Sequence, residues 1–572
     1  KNGSRRLFVG YFDYFCKVKF MGMTLRRLFC VILSAALLSA GWLGLSGLPL
    51  LVALVPLLWI SRSYGPSRRD WWGMFGWAWL AFILWNGATI WGLWYSTPVG
   101  PFAATLASTF LNMLAFMLFH TVSKRAHKAL AYTLLVSGWI ATEYWYTVGE
   151  FSFPWLLLGN GFATEPWAVQ WYEYTGLFGG SLWVLVCNLL FFEAWLHRSS
   201  VRRWVRAALA VVVPLAVSLT IYARWREPER KIEVSVVQPN VDCYDKFNTS
   251  PGWQDENLLA LLAEVPASAQ LIAMPETALV EGLNEAYLPA SPSLGRFETA
   301  LAAAHPGALL VVGADTYKVY AEGNQTSTAR FRNGIWYDRF NTALALDAEG
   351  VRDIHHKSRL VIGVEKMPLP WLFDWLSFLI IDLGGTTGQL GVDTQRTVFT
   401  SGDVRVAPAI CYESVYGAYV GEFVRNGAQL LLVITNDGWW RDTAIHRQHF
   451  SFSRLRAIEH RRAVARSANT GISGFINARG DVVGATLGWG ADPSRRRVGR
   501  TNLLYPLRRL SGARGRVLDA ALRALLCRLS YQTSQLSGRL IQTNIVSHEL
   551  FTNARISLLV DADVSGKGRH GL

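Results

Sequence analysis

The chain has 572 residues, of which 51% are hydrophobic and 17% are charged, and its formal net charge at pH 7 is +15. This composition is typical of a membrane protein rather than of a soluble one. The excess arginine lies in loops between apolar runs and in the last part of the chain, without aromatic residues interleaved on one basic face, which excludes nucleic acid as a partner. The six cysteines have no paired spacing, so neither a disulfide framework nor a zinc site is indicated.

The distribution of apolar residues divides the chain into four regions. They are a read-through or non-native N-terminal extension (1–20), a transmembrane domain (24–224), an α/β domain (230–490) and an atypical Arg-rich tail without a clear final transmembrane helix (491–572). The extension precedes Met21 and Met23, either of which could be the true start.

About 20 apolar residues of helix cross a bilayer. The segments that approach this length are 28–46, 48–60, 72–94, 102–121, 128–148, 177–196 and 206–222. The second is short, and it could instead be a re-entrant or buried segment. Lys and Arg concentrate in loops 61–70, 122–128 and 197–206, whereas the alternate connections contain none. By the positive-inside rule these loops are cytoplasmic. Seven crossings then put residue 225 onward on the outer face, while six would break the alternation of charge.

The outer loop 149–176 is rich in aromatic residues. Phe153-Pro154-Trp155 comes first, and Trp167 and Trp171-Tyr172 follow. Trp and Tyr at the end of a span are commonly interface anchors. The alternative is that this loop forms a floor for lipid beneath the α/β domain.

The α/β domain alternates strand-like and helical runs. The predicted strands are 232–238, 270–274, 308–313, 341–346, 404–410, 429–435 and 472–477, and the predicted helices are 254–264, 295–304, 415–427 and 448–466. This alternation predicts a layered α/β domain with its site at strand ends.

Three chemically useful residues stand at such ends. Cys411 follows the run 404–410, Glu276 follows the run ending in Pro275, and Lys357 closes His355-His356-Lys357. Singly, each has a plain explanation, since a lone Cys is usually a small buried hydrophobe and the charges could cap a helix or be solvated. Together they form a thiol, a base and a cation. A thiol of pKa about 8.5 needs such helpers at neutral pH.

The sequence lacks the residue patterns of a metal site and of a phosphate-binding loop. The His446-Arg447-Gln448-His449 stretch has no accompanying carboxylates or cysteines for a metal. The glycines around Gly384-Gly385 do not open a helix as a phosphate-binding loop would. We therefore expect no metal and no cofactor.

The combination of motifs resembles a known family. Met-Pro-Glu276-Thr, His-His-Lys357-Ser-Arg and Ala-Ile-Cys411-Tyr-Glu resemble the Glu-Lys-Cys triad of the nitrilase superfamily. With the preceding spans, the chain is similar to the membrane-embedded branch, the apolipoprotein N-acyltransferases, over roughly 28–490. The further motifs that carry this resemblance are Phe153-Pro154-Trp155, Asn436-Asp437-Gly438-Trp439-Trp440, Gln448-His449-Phe450, 454–459 and 466–473.

The resemblance implies a fold and a reaction. The fold is a polytopic α-helical membrane domain plus a nitrilase-like αββα sandwich on the periplasmic side of the bacterial inner membrane. The reaction moves a fatty-acyl chain from a phospholipid, through a cysteine thioester, to the α-amino group of the N-terminal diacylglyceryl-cysteine of an apolipoprotein. It implies Cys411 as nucleophile, Glu276 as general base and Lys357 as oxyanion partner.

The resemblance also implies supporting residues. Glu365, Tyr412 and Glu413 match further positions that the family uses, although a carboxylate such as Glu413 could simply begin a helix. Phe247 follows Lys246 where the family often has Trp, and this aromatic could still pack on lipid. Trp439 belongs to the same expected lipid-facing set.

Two further segments of the chain bear on this expected function. The run 370–381 is rich in Trp, Leu and Phe but too short to span, and it is either a buried helix or, as we favour, an arm in the membrane interface through which acyl chains enter. The family pattern ends after Gly490, which indicates a frameshift or a truncation.

A membrane-tethered amidase and a catalytically impaired lipid-binding relative are the alternative functions.

Overall fold

The computed structural model describes residues 22–366, 390–486 and 497–505. The predicted extension 1–20, the apolar run 370–381 and most of the tail lie outside these described residues. The helices of the first part of the described chain are α1 (Met23–Ser39), α2 (Val55–Arg62), α3 (Arg68–Ile90), α4 (Gly100–Ser123), α5 (Lys128–Val148), α6 (Tyr172–Leu196) and α7 (Val201–Arg224).

These helices differ in how well they suit a bilayer. Among the described residues, α4, α6 and α7 are long and apolar enough to cross a membrane by length and composition. Helix α2 has only eight residues and continues a short 3₁₀ turn at Leu48–Val52. It is therefore too short to cross a bilayer by itself. Every segment predicted as a span overlaps one of the seven helices, of which three described ones meet this criterion of length and composition.

Two β-sheets follow the helices. The strands in chain order are β1 (Arg230–Gln238), β2 (Leu271–Ala273), β3 (Leu279–Asn284), β4 (Leu309–Tyr320), β5 (Arg330–Arg332), β6 (Ile335–Asp347), β7 (Gly350–His356), β8 (Phe399–Ser401), β9 (Val404–Ile410), β10 (Leu430–Thr435), β11 (Val464–Ala468), β12 (Gly474–Ile476), β13 (Val482–Ala485) and β14 (Arg497–Tyr505). The first sheet has the order β14-β1-β2-β4-β6-β5, with β3 beside β4 and β7 beside β6. The second has the order β13-β12-β11-β10-β9-β8.

Helices cover the outer faces of the two sheets. They are α8 (Pro251–Ala263), α9 (Pro292–Ala304), α10 (Gly417–Arg425) and α11 (Ala444–His460). Ser250 and Ser291 each cap a helix, α8 and α9 respectively, because their hydroxyl oxygens accept backbone N–H groups of the first turn. Buried Leu and Phe residues of α8 and α9 form one core with the first sheet.

A second core lies between the sheets. Val234 and Val236 of β1 share it with Val406 of β9 and Leu432 of β10, all fully or almost fully buried. In β9 and β10 nearly every residue is buried, as expected for parallel strands covered on both faces. The layers are therefore helix, sheet, sheet, helix, and the predicted αββα sandwich beside a helical membrane domain is confirmed.

The described residues contain seven strands that were not predicted, namely β3, β5, β7, β8, β11, β13 and β14. Helix α11 ends at His460, because Arg461 takes a left-handed φ of +49°, and residues 464–468 form β11 rather than the end of a helix. The buried Arg466 hid this strand, since an ion pair with Asp437 satisfies a charge that otherwise argues against a core strand. The first sheet also takes β14, from beyond residue 490, as an antiparallel partner of β1.

Candidate active site

The thiol of Cys411 stands at a sharp turn. Parallel pairing of β9 with β10 carries the chain to Ile410, and Cys411 then opens a 3₁₀ turn with a φ of +48°. Positive φ is uncommon for a residue other than glycine, and such strain concentrates at functional sites. The Cys411 carbonyl accepts a 2.7 Å hydrogen bond from Ser414 Oγ and lies 3.2 Å from Nε2 of His449. These contacts hold the strained turn.

His449 belongs to a buried network under this turn. Its Nδ1 lies 2.9 Å from Asp437 Oδ1, and Arg466 donates a 2.6 Å bond to the other Asp437 oxygen. All three side chains are fully buried. Burial opposes the charge on Asp437, but Arg466 and His449 outweigh burial and hold the pKa of Asp437 well below its usual value. A fixed charge pair therefore supports the backbone of the thiol.

Glu276 is held by three donors. Its Oε1 accepts hydrogen bonds of 2.8 Å from both Lys357 Nζ and Asn341 Nδ2, and its Oε2 accepts one of 3.1 Å from Asn436 N. The turn that carries it packs tightly against β4, where a Cβ at Gly313 would lie 2.6 Å from Glu276 Cα. Only glycine fits at that position of β4.

Lys357 follows β7 and joins two carboxylates. Its ammonium donates 2.8 Å bonds to Glu276 Oε1 and to Glu365 Oε1, and its side chain is 1% exposed. Asn341 also donates to Glu365, at 3.2 Å, and Val361 N donates to the second Glu365 oxygen at 2.8 Å. The two ion pairs hold the lysine side chain in one position, so its ammonium is a fixed hydrogen-bond donor in the site.

The pKa values describe a resting ion pair. Burial works against the charge on Glu276 and on Lys357, but their mutual attraction outweighs it, so the pKa of Glu276 is lowered and that of Lys357 is raised. Burial, followed by the charge of Glu276, raises the pKa of the Cys411 thiol, and Lys357 only partly opposes this. The cysteine therefore rests as a thiol beside an ionised carboxylate.

Glu413 and Tyr412 have different surroundings. Glu413 is fully buried beneath the site and accepts backbone bonds from Ser358 N at 2.7 Å and Ile410 N at 2.9 Å. Tyr412 donates a 3.2 Å bond to the carbonyl of Ser152, in the loop after α5. Glu413 therefore fixes the two strand ends of the site, and Tyr412 connects the turn of Cys411 to the membrane domain.

A cavity of about 450 Å³ opens onto the thiol, and both domains line it. Its sandwich wall includes Phe247, Glu276, Lys357, Glu365, Cys411, Tyr412 and Trp439. Its membrane wall includes Gly100, Ala103, Ala104 and Ala107 of α4 and Phe151, Phe153 and Trp155 of the loop after α5. Phe153 and Trp155 thus line the cavity, as expected if this loop is a floor for lipid. Of the predicted site residues, Glu413 alone is absent from the lining.

Sequence reasoning missed some contributors. Asn341, which bridges Glu276 and Glu365, was counted only as the first residue of a strand, although an amide opening an apolar strand is a usable signal. The small residues of α4 recur at spacings of three and four, which marks one helical face, but nothing in the sequence pairs that face with the triad. Among the described residues, no group of three or more His, Cys, Asp or Glu side chains could hold a metal.

A buried thiol, carboxylate and ammonium in an αββα sandwich, opening toward apolar helices, define a membrane enzyme of the carbon–nitrogen hydrolase class that can transfer acyl groups. Sequence models of known families agree, with carbon-nitrogen hydrolase matching residues 233–493 and the apolipoprotein N-acyltransferase N-terminal domain matching 30–190. The chain belongs to the apolipoprotein N-acyltransferases, the acyltransferase family that catalyses the final acylation step of lipoprotein maturation.

Individual relatives support this assignment. The chain is 30% identical over 464 residues to an apolipoprotein N-acyltransferase of Chlorobaculum tepidum, covering 77% of this chain and 83% of that one. It is 26% identical to the Thermotoga maritima protein of the same name, covering 80% and 85%. Among solved structures, an amidase from Nesterenkonia is 17% identical with a TM-score of 0.32, covering 49% of this chain and 92% of that one.

Proposed function

We propose that Cys411 takes an acyl chain from a membrane phospholipid and passes it, as a thioester, to the N-terminal diacylglyceryl-cysteine of an apolipoprotein. The observation that carries this proposal is the shared cavity. The thiol, Glu276 and Lys357 line the same space as the small apolar residues of α4. A long acyl chain could therefore lie along the membrane helix with its ester beside the thiol.

The first half-reaction forms the thioester. Glu276 accepts the Cys411 proton as the sulfur attacks the ester carbonyl carbon, and Lys357 stabilises the resulting oxyanion. The carbon–oxygen bond then breaks, and the proton on Glu276 passes to the departing alkoxide of the lysophospholipid. In the resting site the pKa of Glu276 is lowered and that of Cys411 is raised, which opposes proton transfer from the thiol to the carboxylate. The negative charge that develops on the ester oxygen, next to Lys357, therefore has to drive this transfer.

The second half-reaction uses the same groups. The neutral α-amino group of the apolipoprotein attacks the thioester carbonyl, and Lys357 again stabilises the oxyanion. Glu276 accepts a proton from the amine and returns it to the sulfur as the carbon–sulfur bond breaks. The product is an amide, and Cys411 is again a thiol.

The donor is proposed to be phospholipid of the periplasmic leaflet of the inner membrane. The alternation of basic and uncharged loops supports an outer position for residue 225 onward. The side can be tested with Asn324→Cys, because Asn324 lies in an exposed loop of the sandwich. A membrane-impermeant maleimide should label this variant in intact spheroplasts. Labelling only after lysis would put the sandwich in the cytoplasm and contradict the proposal.

Intact-protein mass spectrometry after incubation with phospholipid tests the reaction. The full chain should gain one fatty-acyl mass that hydroxylamine removes. Cys411→Ser should not gain a hydroxylamine-sensitive mass, whereas Cys187→Ser, which alters a buried cysteine of α6, should behave as wild type. Turnover of small amides without an acyl adduct would favour the amidase, and neither activity would indicate an impaired lipid-binding relative.

A further inference from the structure

Lys246 is a buried cation that the mechanism above does not use. It lies in the loop between β1 and α8, and its side chain is almost fully buried. Its ammonium donates hydrogen bonds of 2.8 Å to the carbonyl of Glu276 and 2.7 Å to Thr277 Oγ1. In the described part of the chain, no carboxylate oxygen forms an ion pair with it. A buried charge without such a partner is costly, so its contacts need an explanation.

The contacts of Lys246 converge on a strained turn. Thr277 has a φ of +46°, which is rare for a β-branched residue because its Cβ crowds the backbone. On the other side of the turn, Gly313 leaves no space, since a Cβ there would lie 2.5 Å from Thr277 N. Lys246 therefore holds, from one side, the backbone conformation that aims the Glu276 carboxylate at Lys357.

Charge gives Lys246 a second effect. Glu276 and Glu365 are two carboxylates, and Lys357 by itself balances only one of them. The positive charge of Lys246 also favours the ionised form of Glu276, although its ammonium bonds the backbone carbonyl whereas Asn341 and Lys357 bond the carboxylate. Glu276, Glu365, Lys246 and Lys357 together carry no net charge. When the Cys411 thiol is included, the net charge stays at zero as the proton moves from sulfur to Glu276.

We propose that Lys246 is a positioning residue for acyl transfer, which fixes the Glu276–Thr277 turn and supplies the second positive charge of the site. This inference rests on the proposed function, because it requires Glu276 to act as the base for Cys411. Lys246 touches neither the substrate space nor the thiol in this role. Its effect passes entirely through the turn and the charge of Glu276.

The charge of Lys246 is sensitive to pH. Burial lowers the pKa of Lys246 to about 8, and the charge of Glu276 opposes this; Cys243, the other titratable group that faces Lys246, is a neutral thiol in this range because burial raises its pKa. The ammonium is therefore present below about pH 8 and is lost above it. Acyl transfer should decline over the same range, since a neutral lysine leaves Glu365 unbalanced.

The test compares Lys246→Met with wild type and with Lys231→Met, which removes an exposed lysine from the far end of β1. The rate of thioester formation on the full chain in phospholipid vesicles is measured in a single turnover, from pH 6 to 10. Lys246→Met should react about 100-fold more slowly, the size of loss expected from a misaligned catalytic group. It should keep the wild-type apparent KM for phospholipid and lose the decline near pH 8, while Lys231→Met keeps both rate and profile.

A second variant guards against misfolding. Thr277→Val keeps the β-branched shape but removes one of the two acceptors, and it should slow thioester formation about 10-fold. A wild-type rate and pH profile in Lys246→Met would overturn the inference, as would a raised KM with an unchanged maximal rate. If Lys246→Met does not fold, a wild-type rate in Thr277→Val overturns it instead. Absence of any adduct in wild type would count against the proposed function itself.

Discussion

Glu413 accepts a 2.7 Å hydrogen bond from the backbone N–H of Ser358, which directly follows Lys357 in the chain. Its other oxygen accepts the N–H of Ile410, which directly precedes Cys411. One buried carboxylate therefore sets the separation of the two strand ends that carry the proposed oxyanion partner and the nucleophile. Its surroundings favour the ionised form, since His355, the Ile410 N–H and the Tyr419 hydroxyl together outweigh burial and lower the pKa of Glu413.

Glu413→Gln should damage both stability and chemistry. Glutamine has one acceptor oxygen, so one of the two backbone N–H groups would face an NH₂ group in the buried site. We expect a loss of about 1–3 kcal/mol in the free energy of unfolding and a fall of about 100-fold in thioester formation. Thermal melting and single-turnover mass spectrometry measure the two effects. Tyr419→Phe, which removes one donor to Glu413 but leaves both backbone bonds, should lose less; equal losses would argue against the backbone bonds.

Gly313→Ala should displace the proposed base. The added methyl would meet the Pro275 carbonyl and Thr277 N at 2.5 Å, and neither backbone atom can move without shifting Glu276. Thioester formation should fall about 100-fold, because a displacement of about 1 Å is enough for such a loss. Gly307→Ala is the matched control, since a Cβ at Gly307 meets nothing within 4 Å. Similar rates for the two variants would show that the turn has room to relax.

Gln448 of α11 joins the sandwich to the membrane domain. Its Oε1 accepts a 2.6 Å bond from Trp155 Nε1, and its amide donates to the carbonyls of Trp42 and Thr89 at 2.8 and 3.1 Å. Gln448→Leu would leave these buried groups without a partner, each costing about 1–3 kcal/mol. The melting temperature in detergent should drop well below that of Arg447→Leu, which alters the exposed neighbouring residue. A melting temperature equal to that of the control would exclude Gln448 as a stabilising link.

The width of the cavity should select the acyl chain. Ala107→Phe would project a ring into the cavity, whereas Leu106→Phe changes the adjacent residue, whose side chain is 48% exposed on the outer surface of α4. We expect Ala107→Phe to slow transfer from long-chain phospholipids more than from short-chain ones. Leu106→Phe should leave the chain-length profile unchanged. Mass spectrometry of the Cys411 adduct with a mixture of donors measures the profile, and identical profiles would mean that acyl chains do not lie along this face.

The rate of thioester formation should stay high far into the acidic pH range. The reactive form of Glu276 is ionised, and the attraction of Lys357 lowers its pKa below the ordinary value of 4.5 in spite of burial. The rate of thioester formation should therefore hold as pH falls and decline only below about 4.5, as Glu276 takes up a proton. Single-turnover rates in vesicles between pH 3 and 7 check this. A decline centred between pH 6 and 7 would assign the acid limb to another group.

The sequence predicted the strands that precede Glu276 and Cys411 more reliably than the walls of the cavity around them. The strand 404–410 was predicted at its observed bounds, because a β-branched run ends at the residue where the turn begins. Strand β11 was not predicted because it contains Arg466, a charged residue that is unusual in a buried strand. Arg466 can be buried because it pairs with Asp437, which lies 29 residues away in the sequence. The α4 part of the membrane wall could not be predicted, since the placement of α4 beside the same cavity as the triad depends on tertiary packing that no local pattern encodes.

The cavity at Cys411 is lined by both the sandwich and the membrane domain, and this has a consequence for when the protein can act. Part of the wall of the cavity at Cys411 comes from α4 and the loop after α5, so the sandwich by itself encloses the thiol only partly. A thioester formed there would meet water, and its acyl chain would have no apolar surface to follow. If Cys411 carries the acyl group as proposed, catalysis depends on correct insertion of the helices, and the protein becomes active only after its membrane domain has assembled.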